Sequence, residues 1–193
     1  METQELRGRS LLRVGDWSAE EIGTVLDLAD ELKTLQHARA EHRLLPGRTL
    51  GMIFEKPSTR TRVSFEAGMS HLGGTALHLG LGELHLGKTE SIRDTAVVLS
   101  RYLDAILIRT FHQADVDELA AHATVPVVNG LTDDYHPCQA LADVMTIRER
   151  FGRVAGIRVA YVGDGNNVCH SLMAACAALR ADMVVATPPG ARS

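Results

Sequence analysis

Eight consecutive residues carry most of the chemistry: Glu55-Lys56-Pro57-Ser58-Thr59-Arg60-Thr61-Arg62. The apolar, strand-like run Thr49–Phe54 leads into them, and a helix-like run with Phe65, Met69 and Leu72 on one face follows, stopped by Gly73-Gly74. Hydroxyls and two guanidinium groups thus fall where a strand ends and a helix begins. The first turn of a helix offers backbone N–H groups without intrahelical acceptors and a partial positive charge, which together suit a phosphate. Arginine adds planar, paired donors that match phosphate or carboxylate oxygens. Ser58 and Thr59 can also serve as ordinary helix caps. Cations, however, are disfavoured at a helix N-terminus, so two arginines there point to a small, doubly anionic ligand.

The surrounding pattern must position this octet. Ser18 opens a helix-like segment to about residue 40, with Glu21 placed for a capping box. Short apolar runs then alternate with helical ones. Strands are predicted at Leu50–Phe54, Thr75–Leu79, Ala105–Ile108 and Val125–Val128, with helices at Thr61–Leu72, Ser91–Tyr102 and Val116–His122. A longer helix spans Pro137–Phe151, with proline in its first turn and Gly152 at its end. The alternation predicts an α/β fold, a parallel sheet flanked by helices on both faces. Ligands of such sheets lie at the carboxyl ends of the strands. Three polar clusters fall there: Ser58–Arg62, Arg109-Thr110, and His136 to Gln139.

After Gly152 the pattern restarts with a strand at Ile157–Val162, a helix at Val168–Arg180 and a strand at Met183–Ala186. One such βαβ unit cannot cover both its faces. The expected organisation is a first domain over residues 1–152 and the beginning of a second, Rossmann-like domain over 153–193 that is cut short. The Gly163-Asp164-Gly165 loop invites a dinucleotide-binding reading, but Val168 stands where a third small residue belongs, and no acidic residue closes the next strand. The glycines instead suit a tight turn that presents Asn167.

Composition narrows the classes. Charged residues make up 23% of the 193 and the net charge is -4, so there is no basic footprint for nucleic acid. No apolar run approaches the ~20 residues that span a bilayer. The polar start, Met1 to Glu5, has no signal-peptide core. The 3 cysteines form no paired framework, which fits a reducing, cytoplasmic setting. The 9 histidines show no zinc-type spacing, so no metal site is expected.

Phe54 to Arg62 closely resembles the carbamoyl phosphate loop of the aspartate/ornithine carbamoyltransferase family, and Lys56 before Pro57 resembles the ornithine branch. A second run, His136-Pro137-Cys138-Gln139-Ala140-Leu141-Ala142-Asp143, resembles the same branch, where the aspartate enzymes tend to have Thr in place of Cys138. A third, Gly163-Asp164-Gly165-Asn166-Asn167, resembles the loop that opens the ornithine-binding domain. The three stand in the family's order, and the resemblance runs from about Leu11 to the end of the chain.

The resemblance implies a carbamoyltransferase that makes citrulline and phosphate from carbamoyl phosphate and ornithine, in arginine biosynthesis, as a cytoplasmic homotrimer without a cofactor. It implies that Ser58, Thr59, Arg60 and Thr61 bind the phosphate. Arg60 would also stabilise charge on the leaving group, Arg109 would contact phosphate and carbamoyl oxygen, His136 would polarise the carbonyl, and Gln139 would take the carbamoyl amide. Asn167 would hold the α-carboxylate or α-amino end of ornithine, and Asp143 would orient its neighbours. A glycine-rich loop around His85 and Lys88 would reach a neighbouring subunit, although His85 departs from the Gln found in many bacterial members. The family's second half supplies further groups to both substrates, and those groups are not in this sequence. Poor turnover by the chain alone is therefore expected. A non-catalytic carbamoyl phosphate-binding or oligomerising fragment, and a transcarbamoylase for putrescine, acylornithine or aspartate, stay open beside the ornithine reading.

Overall fold

A computed structural model describes residues 6–80 and 90–190. His85 and Lys88 lie outside the described residues. The elements run α1 (Ala19–His37), β1 (Thr49–Phe54), α2 (Thr59–His71), β2 (Thr75–Gly80), α3 (Ile92–Leu99), β3 (Ala105–Arg109), α4 (Gln113–His122), β4 (Val127–Leu131), α5 (Pro137–Phe151), β5 (Arg158–Val162), α6 (Asn167–Ala178) and β6 (Asp182–Ala186). A short 3-10 turn at Val14–Asp16 precedes α1.

Local chemistry sets several boundaries. The Ser18 hydroxyl accepts from Glu21 N–H and the Glu21 carboxylate accepts from Ser18 N–H, which completes the expected capping box. At the end of α5, Gly152 takes a left-handed φ of 72° that few other residues adopt at low cost. Gly74 is required for a different reason: a Cβ there would stand 2.8 Å from the Arg48 carbonyl oxygen.

Four strands form a parallel sheet in the order β2-β1-β3-β4. Side chains alternate across it. Ile53, Ile106 and Ile108 pack with Ala96 of α3 and with Val116 and Leu119 of α4. Leu50, Met52, Phe54 and Leu107 face the other way, onto Phe65 and Met69 of α2. Both faces are therefore covered, as a parallel sheet requires. The N-terminal segment shields the β4 edge, where Leu11 N–H donates to Val127 and its carbonyl accepts from Asn129 N–H.

The fourth strand departs from the sequence reading, which placed it at Val125–Val128; it runs Val127–Leu131. Its apolar stretch ends at Val128, but a polar residue and a glycine continue the ladder. Asn129 is fully buried because its amide donates to the Leu12 carbonyl and to Gln113 Oε1. At Gly130 an added Cβ would lie 3.3 Å from the Ile108 carbonyl, a tight contact, so glycine eases the close approach of β3 there. Helix α4 begins at Gln113, three residues before the expected Val116, because its first turn is polar.

A separate two-stranded parallel sheet, β5-β6, starts a second domain. Its inward residues Val159, Tyr161 and Met183 pack onto a core shared by α1, α5 and α6, which includes Ile22, Val144 and Leu172. Its other face is open, with Val162 at 82% and Val184 at 69% exposure. The expected uncovered face of this βαβ unit is thus present.

Candidate active site

The carboxyl ends of β1, β3 and β4 converge on a cleft of about 430 Å³. Ser58, Arg60, Thr61, Arg109, His136 and Gln139 line it, together with Ser64, Phe65, Gly130, Leu131, Cys138 and Val168. No carboxylate is among these residues. The volume suits a small ligand.

Backbone hydrogen bonds place the octet. Glu55 N–H donates to the Arg109 carbonyl at 2.8 Å, which ties the loop after β1 to the end of β3. The Glu55 carboxylate accepts from Thr110 Oγ1. Lys56 turns away from the cleft, pairing with Asp133 and lying 4.5 Å from the centre of the Phe111 ring. Ser58 caps α2, its hydroxyl accepting from Thr61 N–H at 3.3 Å. The N–H groups of Thr59 and Arg60 have no acceptor inside the helix and remain for a ligand. The exposed Thr59 side chain does not line the cleft, so only its backbone is offered.

The octet's two arginines separate. Arg60 lines the cleft, whereas Arg62 pairs with Glu66 one turn on, Nε to Oε1 2.9 Å, on the exposed side of α2. The second guanidinium of the cleft is that of Arg109 on β3, the residue named beside Arg60 from the sequence, and Arg62, whose place in the octet suggested an anion contact, is not in the lining. Burial, and then the charge of Arg60, lower the Arg109 pKa below its ordinary value. Its Nε is buried with no hydrogen-bond partner. Two cations facing one cleft, one of them with an unpaired donor, form a site that a bound anion relieves.

His136 precedes α5, and its Nδ1 is also buried without a partner. Burial, and then the Arg109 guanidinium, hold the imidazole down to about 4. It is therefore neutral at pH 7, able to donate one hydrogen bond without carrying charge. Gln139 Nε2 donates to Asp143 Oδ1 at 2.9 Å, so Asp143 orients the amide and leaves its Oε1 as an acceptor. The Cys138 thiol is pushed up to about 12 by burial, and Sγ lies 3.5 Å from the Asn129 carbonyl. It is a packing residue rather than a nucleophile.

Asn167 stands on the first turn of α6 outside the cleft wall, its Nδ2 donating to the Thr132 carbonyl at 2.5 Å. Next to it, the Asn166 side chain accepts from both Val168 and Cys169 N–H, which occupies donors that a dinucleotide phosphate needs. Sequence reasoning missed Ser64, Gly130, Leu131 and Val168, whose spacing carries no chemical signature. It also missed the buried Gln113, Thr132 and Ser171 behind the site.

The pKa of His136 has a consequence for stability. The unfolded chain binds this proton as the pH falls through about 6.5, the folded chain only near 4. The contribution is complete above 6.5 and is lost as the pH falls toward 4. Urea unfolding at pH 7 and pH 4.5 is expected to show the parent losing about 2 kcal/mol more than His136→Asn. Equal losses exclude a buried neutral imidazole.

A parallel α/β domain whose cleft joins a helix N-terminus, two guanidinium groups and a neutral imidazole belongs to the class that binds small phosphorylated substrates at strand ends. Comparison with known proteins makes the class specific. Residues 9–149 match the aspartate/ornithine carbamoyltransferase carbamoyl-P binding domain, and residues 155–193 match the Asp/Orn binding domain of the same family. The chain belongs to the aspartate/ornithine carbamoyltransferase family. It is 59% identical to an ornithine carbamoyltransferase of Pyrococcus horikoshii over 185 residues, covering 96% of this chain and 58% of that protein. It is 60% identical, over 96% of its length and 59% of the relative, to a Pyrococcus furiosus ornithine carbamoyltransferase described as anabolic. A solved structure of ornithine carbamoyltransferase from Pyrococcus furiosus superposes with a TM-score of 0.95 at 59% identity, covering 97% of this chain and 60% of that one. The chain thus spans a little under two thirds of the length of these relatives.

Proposed function

We propose that this chain forms the carbamoyl phosphate site of an ornithine carbamoyltransferase. The observation that carries the reading is the convergence of Ser58, Arg60, Thr61, Arg109, His136 and Gln139 on one cleft with no carboxylate among its described lining residues. The phosphate sits on the first turn of α2, held by the backbone N–H groups of Thr59 and Arg60, the hydroxyls of Ser58 and Thr61, and the Arg60 guanidinium. Arg109 bridges phosphate and carbamoyl oxygen through donors that include Nε. Neutral His136 donates to the carbonyl oxygen, and Gln139 Oε1 accepts from the carbamoyl amide.

The neutral δ-amine of ornithine attacks the carbonyl carbon. The carbonyl electron pair moves onto oxygen, where Arg109 and His136 stabilise it. The tetrahedral intermediate collapses, the C–O bond to phosphate breaks, and the amine's proton passes to an oxygen of the departing phosphate, which leaves onto Arg60. Carbamoyl phosphate arrives activated, so the scheme needs no metal or organic cofactor. Asn167 contributes to the ornithine end through Oδ1, while Nδ2 stays on the Thr132 carbonyl. The high identity to proteins named ornithine carbamoyltransferase favours ornithine over aspartate, putrescine or acylornithine as acceptor.

The division into a carbamoyl phosphate domain at 1–152 and an ornithine domain from 153 belongs to the same proposal. So do a cytoplasmic homotrimer and a role in arginine biosynthesis, which the name of the anabolic relative supports. Among the described residues no helix is long and apolar enough to cross a membrane.

Calorimetry on the 193-residue chain tests the reading. Carbamoyl phosphate is expected to bind, and to bind tighter than inorganic phosphate because the carbamoyl contacts add to the phosphate contacts. Citrulline formation with ornithine is assayed alongside, with putrescine as control. A chain that binds neither anion removes the assignment.

A further inference from the structure

The His136 ring has no side-chain hydrogen bond of its own at Nδ1, so its aim depends on where the backbone holds it. That backbone is the turn 132–136, and it is gripped from two sides. On the sheet side, Thr132 Oγ1 donates to Gln113 Oε1 at 2.9 Å and accepts from Tyr135 N–H at 3.0 Å. Thr132 is fully buried and Gln113 is 6% exposed. On the other side stands α6, the helix of the second domain. Asn167, His170 and Ser171 share one face of it, three and four residues apart. All three reach the turn's main chain. Asn167 Nδ2 donates to the Thr132 carbonyl at 2.5 Å, His170 Nδ1 lies 3.1 Å from the Asp134 carbonyl, and the Ser171 hydroxyl accepts from His136 N–H itself at 2.8 Å. Ser171 is 1% exposed, so no water replaces it there readily.

We propose that Ser171 is a positioning residue for His136, through which the second domain sets the carbonyl-recognising half of the cleft while leaving the phosphate-binding half alone. The inference rests on the reading of the cleft as a carbamoyl phosphate site. Its basis is an asymmetry of attachment. Ser58, Thr61 and Arg60 belong to α2, which is fixed by its own cap and by the β1–β3 backbone bonds. His136 is held at the start of α5 and through the Thr132–Gln113 contact, and its own N–H is held by α6. Losing the hydroxyl leaves a part-buried N–H without its acceptor, and the turn relaxes away from α6 to find another.

The test compares two ligands on the 193-residue chain, parent against Ser171→Ala. Carbamoyl phosphate affinity is expected to fall about tenfold, the size of one lost buried hydrogen-bond partner. Inorganic phosphate affinity is expected to stay within about twofold, and the His136 ring signal in carbon–proton NMR to move. A purely structural role would weaken both ligands together. Ser171→Cys keeps the side-chain volume with a weak acceptor and is measured beside it, so that a folding defect in the alanine variant does not decide the result. Unchanged carbamoyl phosphate affinity in these variants, or equal loss for both ligands, overturns the inference. A parent chain that binds neither ligand overturns the cleft reading, and the inference with it.

Discussion

Replacing Arg60 with alanine is expected to lower carbamoyl transfer by at least two to three orders of magnitude, about 3–4 kcal/mol of transition-state stabilisation. The reason is the geometry of the leaving group. Arg60 is the octet cation that lines the cleft, it stands on the first turn of α2, and among the described residues no carboxylate lines the cleft to neutralise it. In the proposed reaction, charge on the departing phosphate grows toward that guanidinium, so the interaction strengthens along the reaction rather than holding the ground state alone. Where turnover is measurable the readout is citrulline. In every case it is also carbamoyl phosphate affinity by calorimetry. Arg62→Ala is the internal control: its guanidinium already pairs with Glu66 on the exposed surface, and its loss should leave both readouts within about twofold. A pair of variants that behave alike would show that the octet acts as a general basic patch.

Arg109→Met should separate stability from function. The Arg109 guanidinium is partly desolvated, faces the charge of Arg60 and buries an unpaired Nε. A methionine of similar length removes a poorly compensated charge, so the free energy of unfolding is expected to rise by about 1 kcal/mol. On the proposed reading of the cleft, the same change deletes donors to both halves of carbamoyl phosphate and should weaken binding by at least about a hundredfold. Urea denaturation and calorimetry on one preparation give both numbers. A variant that loses stability together with affinity would mark Arg109 as a structural residue, and the picture of a site held under charge strain until an anion arrives would be wrong.

The sequence by itself determined what depends on neighbours in the chain. The Ser18–Glu21 capping box, the Pro137–Phe151 bounds of α5 and the strand–turn–helix around Ser58 are local hydrogen-bonding and periodicity effects, and all are present in the structure. The residue types of the cleft were legible too, because a helix N-terminus followed by arginine is an anion signature within a few residues. The pairing of Arg60 with Arg109 was named in the sequence only through the family resemblance, and its physical basis lies in the tertiary structure. Arg62 follows Arg60 by two positions, yet the helical turn sends it to Glu66, while Arg109, far along the chain, enters because β1 pairs with β3. The extent of β4 was hidden for a similar reason. Asn129 and Gly130 look like a turn until Gln113 and the Leu12 carbonyl accept from the Asn129 Nδ2 and β3 approaches the glycine. Ser171 had no signature at all, since a serine within an apolar helix acquires its meaning from the His136 N–H it meets across the domain boundary. Periodicity and capping are written in contacts a few residues apart. Burial of a polar group is affordable only against a partner that folding brings from elsewhere, and that partner is not visible along the chain.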